Sequence, residues 1–226
     1  MKDYRTHILA VTAAVLALQS ANALAAEQEV LVALDISKSN SFITDQAVAA
    51  RAASLLANVI EDLSRADTVK IRTVGDYGMG ANPLRLDLVV SRKTPARKIA
   101  DTVERLVGAL PSLVKQGRVQ ASNTTQISAF LIDEARSLAC TGETGHIYLL
   151  SDGIEASHAT DPKALVAGNA DLPEPPKDVL SGCQLTMLGI GETVSGANPS
   201  QTRNLIAAWQ EWSAQAGADF EPKPTF

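Results

Sequence analysis

The sequence predicts an α/β domain whose central sheet is mostly parallel and is covered by helices on both faces. Three observations support this fold class. Strand-like apolar runs alternate with helical apolar stripes along the chain, as in a parallel sheet with crossover helices. Three of the strand runs are continuously apolar, as expected for strands buried on both faces. Each of these runs ends in a polar or glycine-containing loop, and open α/β sheets bind ligands at such loops.

The N-terminus is predicted to be a secretory signal peptide that spans residues 1–25. A basic start precedes an uncharged, mostly apolar run at 8–18, and Ala23-Leu24-Ala25 is a small-x-small cleavage site. The run is too short to cross a bilayer. We therefore expect one domain over residues 26–226, located in the periplasm or secreted, with no direct membrane insertion.

The charge of the chain limits its partners. The formal net charge is −5, which predicts a mildly acidic surface. Such a surface argues against nucleic acid and against anionic lipid as partners, because both repel negative charge. A protein partner remains the expectation.

Five strands are predicted along the chain. The runs at 29–34, 146–150 and 184–190 are continuously apolar and predict buried strands. Residues 68–74 alternate more strongly and predict a further strand. Residues 83–91 have apolar side chains at period two, which predicts a half-exposed edge strand.

The predicted helices lie between these strands. An apolar stripe at 43–63 predicts the first helix. Thr94-Pro95 is a capping residue followed by a first-turn proline, so it predicts a helix start. Further stripes begin at Ile127 and after Asn198-Pro199. The predicted order is β-α-β-β-α-α-β-(loop, helix)-β-α, in which residues 168–182 form a Pro-rich surface excursion.

Two cysteines, Cys140 and Cys183, lie in the predicted mature chain. An oxidising compartment favours a disulfide between them over two buried thiols. Each cysteine lies just before a predicted strand. If those strands are parallel neighbours, both cysteines lie at the same end of the sheet.

Polar side chains lie at the ends of two predicted strands and at the start of one predicted helix. Asp35 ends the first apolar run and is followed by Ser37 and Ser39; Asp152 follows a second run, and Thr125 precedes a helix. In a parallel sheet these positions converge on one edge. Hydroxyl and carboxylate oxygens suit Mg²⁺ or Mn²⁺. The sequence therefore predicts one divalent-cation site, although turn or cap chemistry also explains each motif singly.

The combination of Asp35-x-Ser37-x-Ser39, a threonine before a helix and Ser151-Asp152-Gly153 resembles the metal-ion-dependent adhesion site of von Willebrand factor type A (VWFA) domains. The resemblance covers residues 29–217 approximately. It implies a Rossmann-like, doubly wound fold with one antiparallel edge strand. It also implies a magnesium or manganese ion that binds an Asp or Glu of a partner protein. The implied metal ligands are Asp35, Ser37, Ser39, Thr125 and Asp152.

Two threonines compete for the middle ligand position. The family often has an apolar residue two positions after this threonine and a Leu or Ile six positions after it. Thr125 is followed by Ile127 and Leu131 and fits this pattern, whereas Thr124 has Gln and Phe at those positions. We therefore favour Thr125 and keep Thr124 as the alternative.

Three functions are consistent with these residues. The favoured one is an exported, cation-dependent protein-binding module without enzymatic activity. The second is a metal-assisted or serine hydrolase, in which Ser37 or Ser39 would be the nucleophile and His158 its base; no Gly-x-Ser-x-Gly elbow supports it. The third is a structural VWFA subunit of an envelope assembly, whose metal site is vestigial.

Overall fold

The computed structural model describes residues 27–76, 84–140 and 144–225. The predicted signal peptide therefore lies outside the described residues. The strands are β1 (Glu29–Asp35), β2 (Thr68–Val74), β3 (Arg85–Val89), β4 (Gly145–Leu150), β5 (Cys183–Leu188), β6 (Glu192–Thr193), β7 (Gly196–Ala197) and β8 (Asp219–Lys223). The helices are α1 (Gln46–Glu61), α2 (Ala96–Lys115), α3 (Ile127–Glu134), α4 (Pro162–Val166) and α5 (Pro199–Ala216).

The main sheet has the strand order β3-β2-β1-β4-β5-β8. The pairs β1–β2, β1–β4, β4–β5 and β5–β8 are parallel, and β2–β3 is antiparallel. This confirms the predicted mostly parallel sheet. Strand β3 is the edge strand predicted within 83–91, and its antiparallel pairing is the one that the resemblance implied. Since β1 and β4 are neighbours, with Leu34 opposite Leu150, the loops that follow them lie side by side.

Both faces of the sheet are covered by helices. Alternate residues of β1 point to opposite faces, so Val32 packs in a core with α1 and α2, whereas Leu31 packs in a second core with α3, α4 and α5. Leu31, Val32 and Leu34 have no exposed surface. The continuous apolar run of β1 is thus explained by burial on both sides, as predicted.

The helix ends show which sequence signals were read correctly. Asn198 accepts hydrogen bonds from two backbone N–H groups and caps α5, with Pro199 in the first turn, as predicted. Thr94 does not cap α2: its hydroxyl donates to the Val89 carbonyl, and Pro95 occupies the cap position. The apolar stripe of this helix was expected to end at Pro111, but α2 continues through Pro111 to Lys115.

Two elements were not predicted. Strand β8 pairs with β5 and adds a sixth strand at the edge of the sheet; it is short, charged and contains Pro222, so it lacks a strand-like sequence pattern. The β6–β7 hairpin spans six residues between β5 and α5. Both depend on contacts with distant parts of the chain, which local patterns do not report.

The disulfide between Cys140 and Cys183 is present. Gly145, at the start of β4, is opposite Cys183, at the start of β5, so the bond lies at the amino end of these parallel strands, as predicted. No helix of the described residues is long and apolar enough to cross a membrane.

Candidate metal site

Asp35 is the last residue of β1 and is completely buried. Its Oδ1 accepts a hydrogen bond of 2.8 Å from the Ser37 backbone N–H, and its Oδ2 accepts one of 2.6 Å from the Ser151 hydroxyl. The bond from Ser151 joins the loop after β4 to the end of β1, and the bond from Ser37 holds the start of the loop after β1. The carboxyl group of Asp35 is therefore held at the predicted edge of the sheet.

The loop after β1 brings its two serines together. The Ser37 and Ser39 hydroxyl oxygens are 3.2 Å apart, so both point to the same side of the loop. The Asn40 side-chain amide donates to the Asp35 and Leu150 carbonyl oxygens, at 3.3 Å each. Asn40 thereby ties the loop to the ends of both strands and restricts where the two hydroxyls lie.

Asp152 follows β4 and is also completely buried. Its Oδ1 accepts a hydrogen bond of 2.9 Å from the Ile154 N–H. Its Oδ2 is buried and has no hydrogen-bond partner among the described residues. The Ser39 hydroxyl lies near enough to the carboxyl group to lower its pKa. A buried carboxylate oxygen without a partner is a candidate cation ligand.

The two buried carboxyl groups, Asp35 and Asp152, form an electrostatically unfavourable pair without a counterion. Burial and, to a smaller extent, the nearby Asp35 carboxylate together raise the pKa of Asp152 to about 7, against the opposing effects of the Ile154 N–H and the Ser39 hydroxyl. Burial also raises the pKa of Asp35, against the hydrogen bonds from Ser151 and Ser37. Two buried carboxylates close together favour a bound cation or a shared proton.

The loop that contains Thr125 forms backbone hydrogen bonds with both the loop after β1 and the loop after β4. Upstream, the Ser122 N–H donates to the Ile36 carbonyl, so the loop runs beside the serine loop. Downstream, Thr125 and Ala156 exchange two backbone hydrogen bonds of 2.9 Å. Thr125 is 1% exposed. The three loops with predicted ligands are thus joined directly by backbone hydrogen bonds.

The alternative residue, Thr124, has a different environment. It is partly exposed, and its backbone carbonyl accepts a hydrogen bond of 2.7 Å from the Ser122 hydroxyl. Its backbone makes none of the bridges to the loop after β4 that Thr125 makes. Thr125 is therefore the more buried of the two threonines and the one whose backbone pairs with the loop after β4.

Gly153 allows the chain to turn sharply after Asp152. Its φ is +77°, which favours glycine, and an added Cβ would lie 3.0 Å from an Ile190 side-chain carbon. The Gly153 carbonyl accepts a hydrogen bond of 2.8 Å from the Trp209 indole N–H. Trp209, on α5, is completely buried. The position of Asp152 therefore depends on core packing as well as on its own loop.

Sequence reasoning missed several residues that support the site. Ser151 was part of the quoted motif but was given no role of its own, and Asn40 was not singled out. Glu155 was missed as well; it is 1% exposed and accepts hydrogen bonds from the Ser128 N–H and hydroxyl at the start of α3. This contact links the Asp152 loop to the helix that follows Thr125. A polar residue adjoining a predicted ligand motif was the available signal for Ser151 and Asn40; nothing local marked Glu155.

The donor set determines which cations fit. In the part of the chain that the structure describes, no three His, Cys, Asp or Glu side chains form a metal-binding group. A soft-metal or carboxylate-rich site is therefore not formed there. Two carboxylates and two or three hydroxyls are hard oxygen donors, which suit Mg²⁺ or Mn²⁺, and the unpartnered oxygen of Asp152 is chemically compatible with such an ion.

The alternative hydrolase was predicted to use His158 as the base for Ser37 or Ser39. His158, the candidate base, is exposed on the segment after Asp152. Within the described residues, no hydrogen bond joins it to Ser37 or Ser39; the two hydroxyls contact each other. A serine nucleophile needs a base within hydrogen-bond reach.

The mostly parallel sheet with one antiparallel edge strand matches the fold that the resemblance to the VWFA family implied. The fold is VWFA-like. No protein-family model matches the chain, and no curated protein matches it.

Three solved structures are similar to this VWFA-like domain. The first is described as an aerotolerance-related membrane protein from Bacteroides fragilis NCTC 9343 with multiple mutations to serines; it has 17% identity and a TM-score of 0.46, over 86% of this chain and 90% of that chain. BatB from Bacteroides thetaiotaomicron has 17% identity and a TM-score of 0.46, over 88% and 91%. A von Willebrand factor type A protein from Catenulispora acidiphila has 15% identity and a TM-score of 0.44, over 87% and 38%.

Proposed function

We propose that this VWFA-like domain is an exported, metal-dependent protein-binding module. It holds Mg²⁺ or Mn²⁺ through Asp35, Ser37, Ser39, Thr125 and Asp152, and the ion then binds an Asp or Glu side chain of a partner protein. The observation that supports this most strongly is the buried, unpartnered Oδ2 of Asp152 beside the paired serine hydroxyls. Leaving such a carboxylate oxygen without a partner costs stability unless a cation binds it.

The charge balance supports recognition of an acidic partner. The site contributes two carboxylates to a divalent cation, and its other donors are neutral hydroxyls. A cation with few anionic ligands keeps a strong preference for a further carboxylate. When bound, the ion would supply an electrophilic centre, and the serine and threonine loops would orient the partner around it.

The predicted signal peptide supports a location outside the cytoplasm. The disulfide between Cys140 and Cys183 fits an oxidising compartment as well. We place the module in the periplasm or outside the cell, where it would join an envelope protein to its acidic partner.

A metal titration with a matched pair of serine variants tests the proposed site. We expect Mg²⁺ and Mn²⁺ to raise the melting temperature of the unmodified chain, since a ligand that binds only the folded state stabilises it by about 2.7 kcal/mol at one hundred times its Kd. The double variant Ser37→Ala/Ser39→Ala keeps both carboxylates and should lose most of this shift. The control Ser54→Ala/Ser112→Ala changes two exposed helical serines and should keep it.

The outcomes separate the candidate functions. If neither metal shifts the melting temperature of the unmodified chain, the metal-dependent function is wrong and the structural, vestigial-site alternative is favoured. A metal shift combined with capture of an envelope protein that chelator abolishes would support the binding module. Covalent labelling of Ser37 by an activated-serine probe would instead favour the hydrolase.

A further inference from the structure

A groove lies directly beside the serine loop, and its outer wall is the β6–β7 hairpin. The Val194 N–H at the hairpin tip donates to the Ser39 carbonyl at 2.9 Å, and Asn40 forms a bridge with Thr193. The groove has a volume of about 560 Å³ and is also lined by Ser41 and Asp45. We call this space the hairpin groove.

The hairpin groove is apolar at its tip. Val194 is 52% exposed and, with Val89, is one of two exposed large apolar side chains among the described residues. The turn that presents it is held locally, since the Thr193 hydroxyl donates to the Gly196 carbonyl and accepts from the Ser195 N–H. An apolar side chain held exposed beside a proposed binding site indicates a contact surface.

The hairpin groove is also negatively charged. It is lined by Asp45, which is exposed, and by Glu192, which is partly buried. The guanidinium group of Arg51 is 4.0 Å from the Glu192 carboxylate and is half-exposed, so it neutralises the groove only in part. Burial and the nearby Asp45 carboxylate raise the pKa of Glu192, whereas Arg51 lowers it. A positive charge in the groove would relieve this repulsion.

The hairpin groove matches one kind of side chain. Its tip is apolar, and two carboxylates line it. A long basic side chain fits both features, because its aliphatic stem packs on Val194 while its charged end lies inside. Ser41 also lines the groove, but its hydroxyl oxygen is buried.

We propose that the hairpin groove binds a Lys or Arg of the same partner segment whose acidic residue completes the metal site. This inference rests on the proposed function. Ser39, at the proposed metal site, and Ser41, in the hairpin groove, are two residues apart, so their Cα atoms are separated by at most about 7 Å. An extended partner segment spans this distance with two or three residues. The recognised segment thus carries an acidic residue and, two to four residues away, a basic one.

A peptide selection tests the inference. The probe is a phage-displayed library of nonapeptides with a fixed central Asp and random residues elsewhere, selected on the full chain in Mg²⁺ and eluted with chelator. We expect Lys or Arg to be enriched two to four residues from the fixed Asp. The selected peptides are then synthesised, and their affinities are measured with and without replacement of the basic residue by Gln.

A matched pair of charge variants completes the test. Asp45→Asn/Glu192→Gln removes both groove charges, and Asn retains the ability to cap α1. We expect this variant to bind the selected peptides about tenfold more weakly, with its Mg²⁺-induced stabilisation unchanged. The control Glu61→Gln/Asp62→Asn removes the same charges from the exposed opposite end of α1 and should bind normally.

The inference and the proposed function fail in different ways. The inference alone is overturned if the chelator-sensitive peptides show no enrichment of Lys or Arg, or if they bind both charge variants with equal affinity. The metal-dependent function would then remain intact. An absence of chelator-sensitive peptides would overturn both. If Asp45→Asn/Glu192→Gln does not fold, replacing the Lys or Arg of the peptide by Gln still tests the inference, because the affinity of that peptide is measured on the unmodified chain.

Discussion

The two ends of the sheet differ in how their polar groups are partnered. At the amino end, Glu29 lies 3.3 Å from the Lys70 ammonium group and also accepts a hydrogen bond from the Ala139 N–H. The Cys140–Cys183 disulfide lies at the same end. At the carboxyl end, Asp35 and Asp152 are both completely buried, and one oxygen of Asp152 has no partner.

This difference separates stability from function within one domain. Partnered charges and a covalent link stabilise the fold at the amino end. Two adjacent buried carboxylates destabilise it at the carboxyl end unless a cation is bound. Unsatisfied groups of this kind are expected where a protein binds a ligand. The following predictions test whether the two ends act independently, from the largest expected effect to the smallest.

The largest effect is expected at the amino end. Replacing both cysteines by alanine, Cys140→Ala/Cys183→Ala, should lower the free energy of unfolding by about 4 kcal/mol, because the bond closes a loop of 43 residues. Denaturant unfolding measures this. The Mg²⁺-induced shift should persist in the folded variant, and its loss would show that the two ends are coupled.

A smaller effect of opposite sign is expected at the carboxyl end. Asp152→Asn should raise the free energy of unfolding of the metal-free protein at pH 8 by about 1–3 kcal/mol, since it removes one of two buried charges. The same change should abolish the Mg²⁺ shift. The control Asp101→Asn, at an exposed position of α2, should change stability by less than about 0.5 kcal/mol. Destabilisation by Asp152→Asn would contradict this account of the site.

The smallest effect is a pH dependence of the metal-free protein. The pKa of Asp152 is raised to about 7 in the folded state from an ordinary value of 3.8, so the folded state binds more protons between these values. Its contribution to stability is therefore present below pH 3.8 and is lost as the pH rises through about 7, with a slope of at most about 1.4 kcal/mol per pH unit.

Urea unfolding between pH 5 and pH 8, compared with Asp152→Asn, measures this slope. The Mg²⁺ shift should grow over the same interval, because protons and the cation compete for the carboxylate. Equal slopes for both proteins would show that Asp152 does not titrate in this range.

The parts of the molecule differ in how far local sequence predicts them. Strand β1 was predicted within one residue, because burial on both faces requires a continuous apolar run. The edge strand at 83–91 was predicted from its period-two pattern. In contrast, β8 has one buried apolar residue, Phe220, and becomes a strand only because the edge of β5 is available for pairing.

The candidate metal site also has parts that local sequence predicts and parts that it does not. The residue types at Asp35, Ser37, Ser39, Thr125 and Asp152 were proposed from spacing and from the resemblance to VWFA domains. Their support was not visible locally. Glu155 lies 27 residues from its partner Ser128, and Trp209 lies 56 residues from Gly153. Such contacts depend on the order of strands in space, which no short window of sequence contains.

The sequence by itself determined the alternation of strands and helices and the polar residues that follow the strands, because burial and chain turning act on neighbouring residues. Only the tertiary structure decided that one oxygen of Asp152 remains unpartnered and that the β6–β7 hairpin lies against Ser39. Both facts arise where separate loops meet, and they depend on distances between residues that are far apart in the chain.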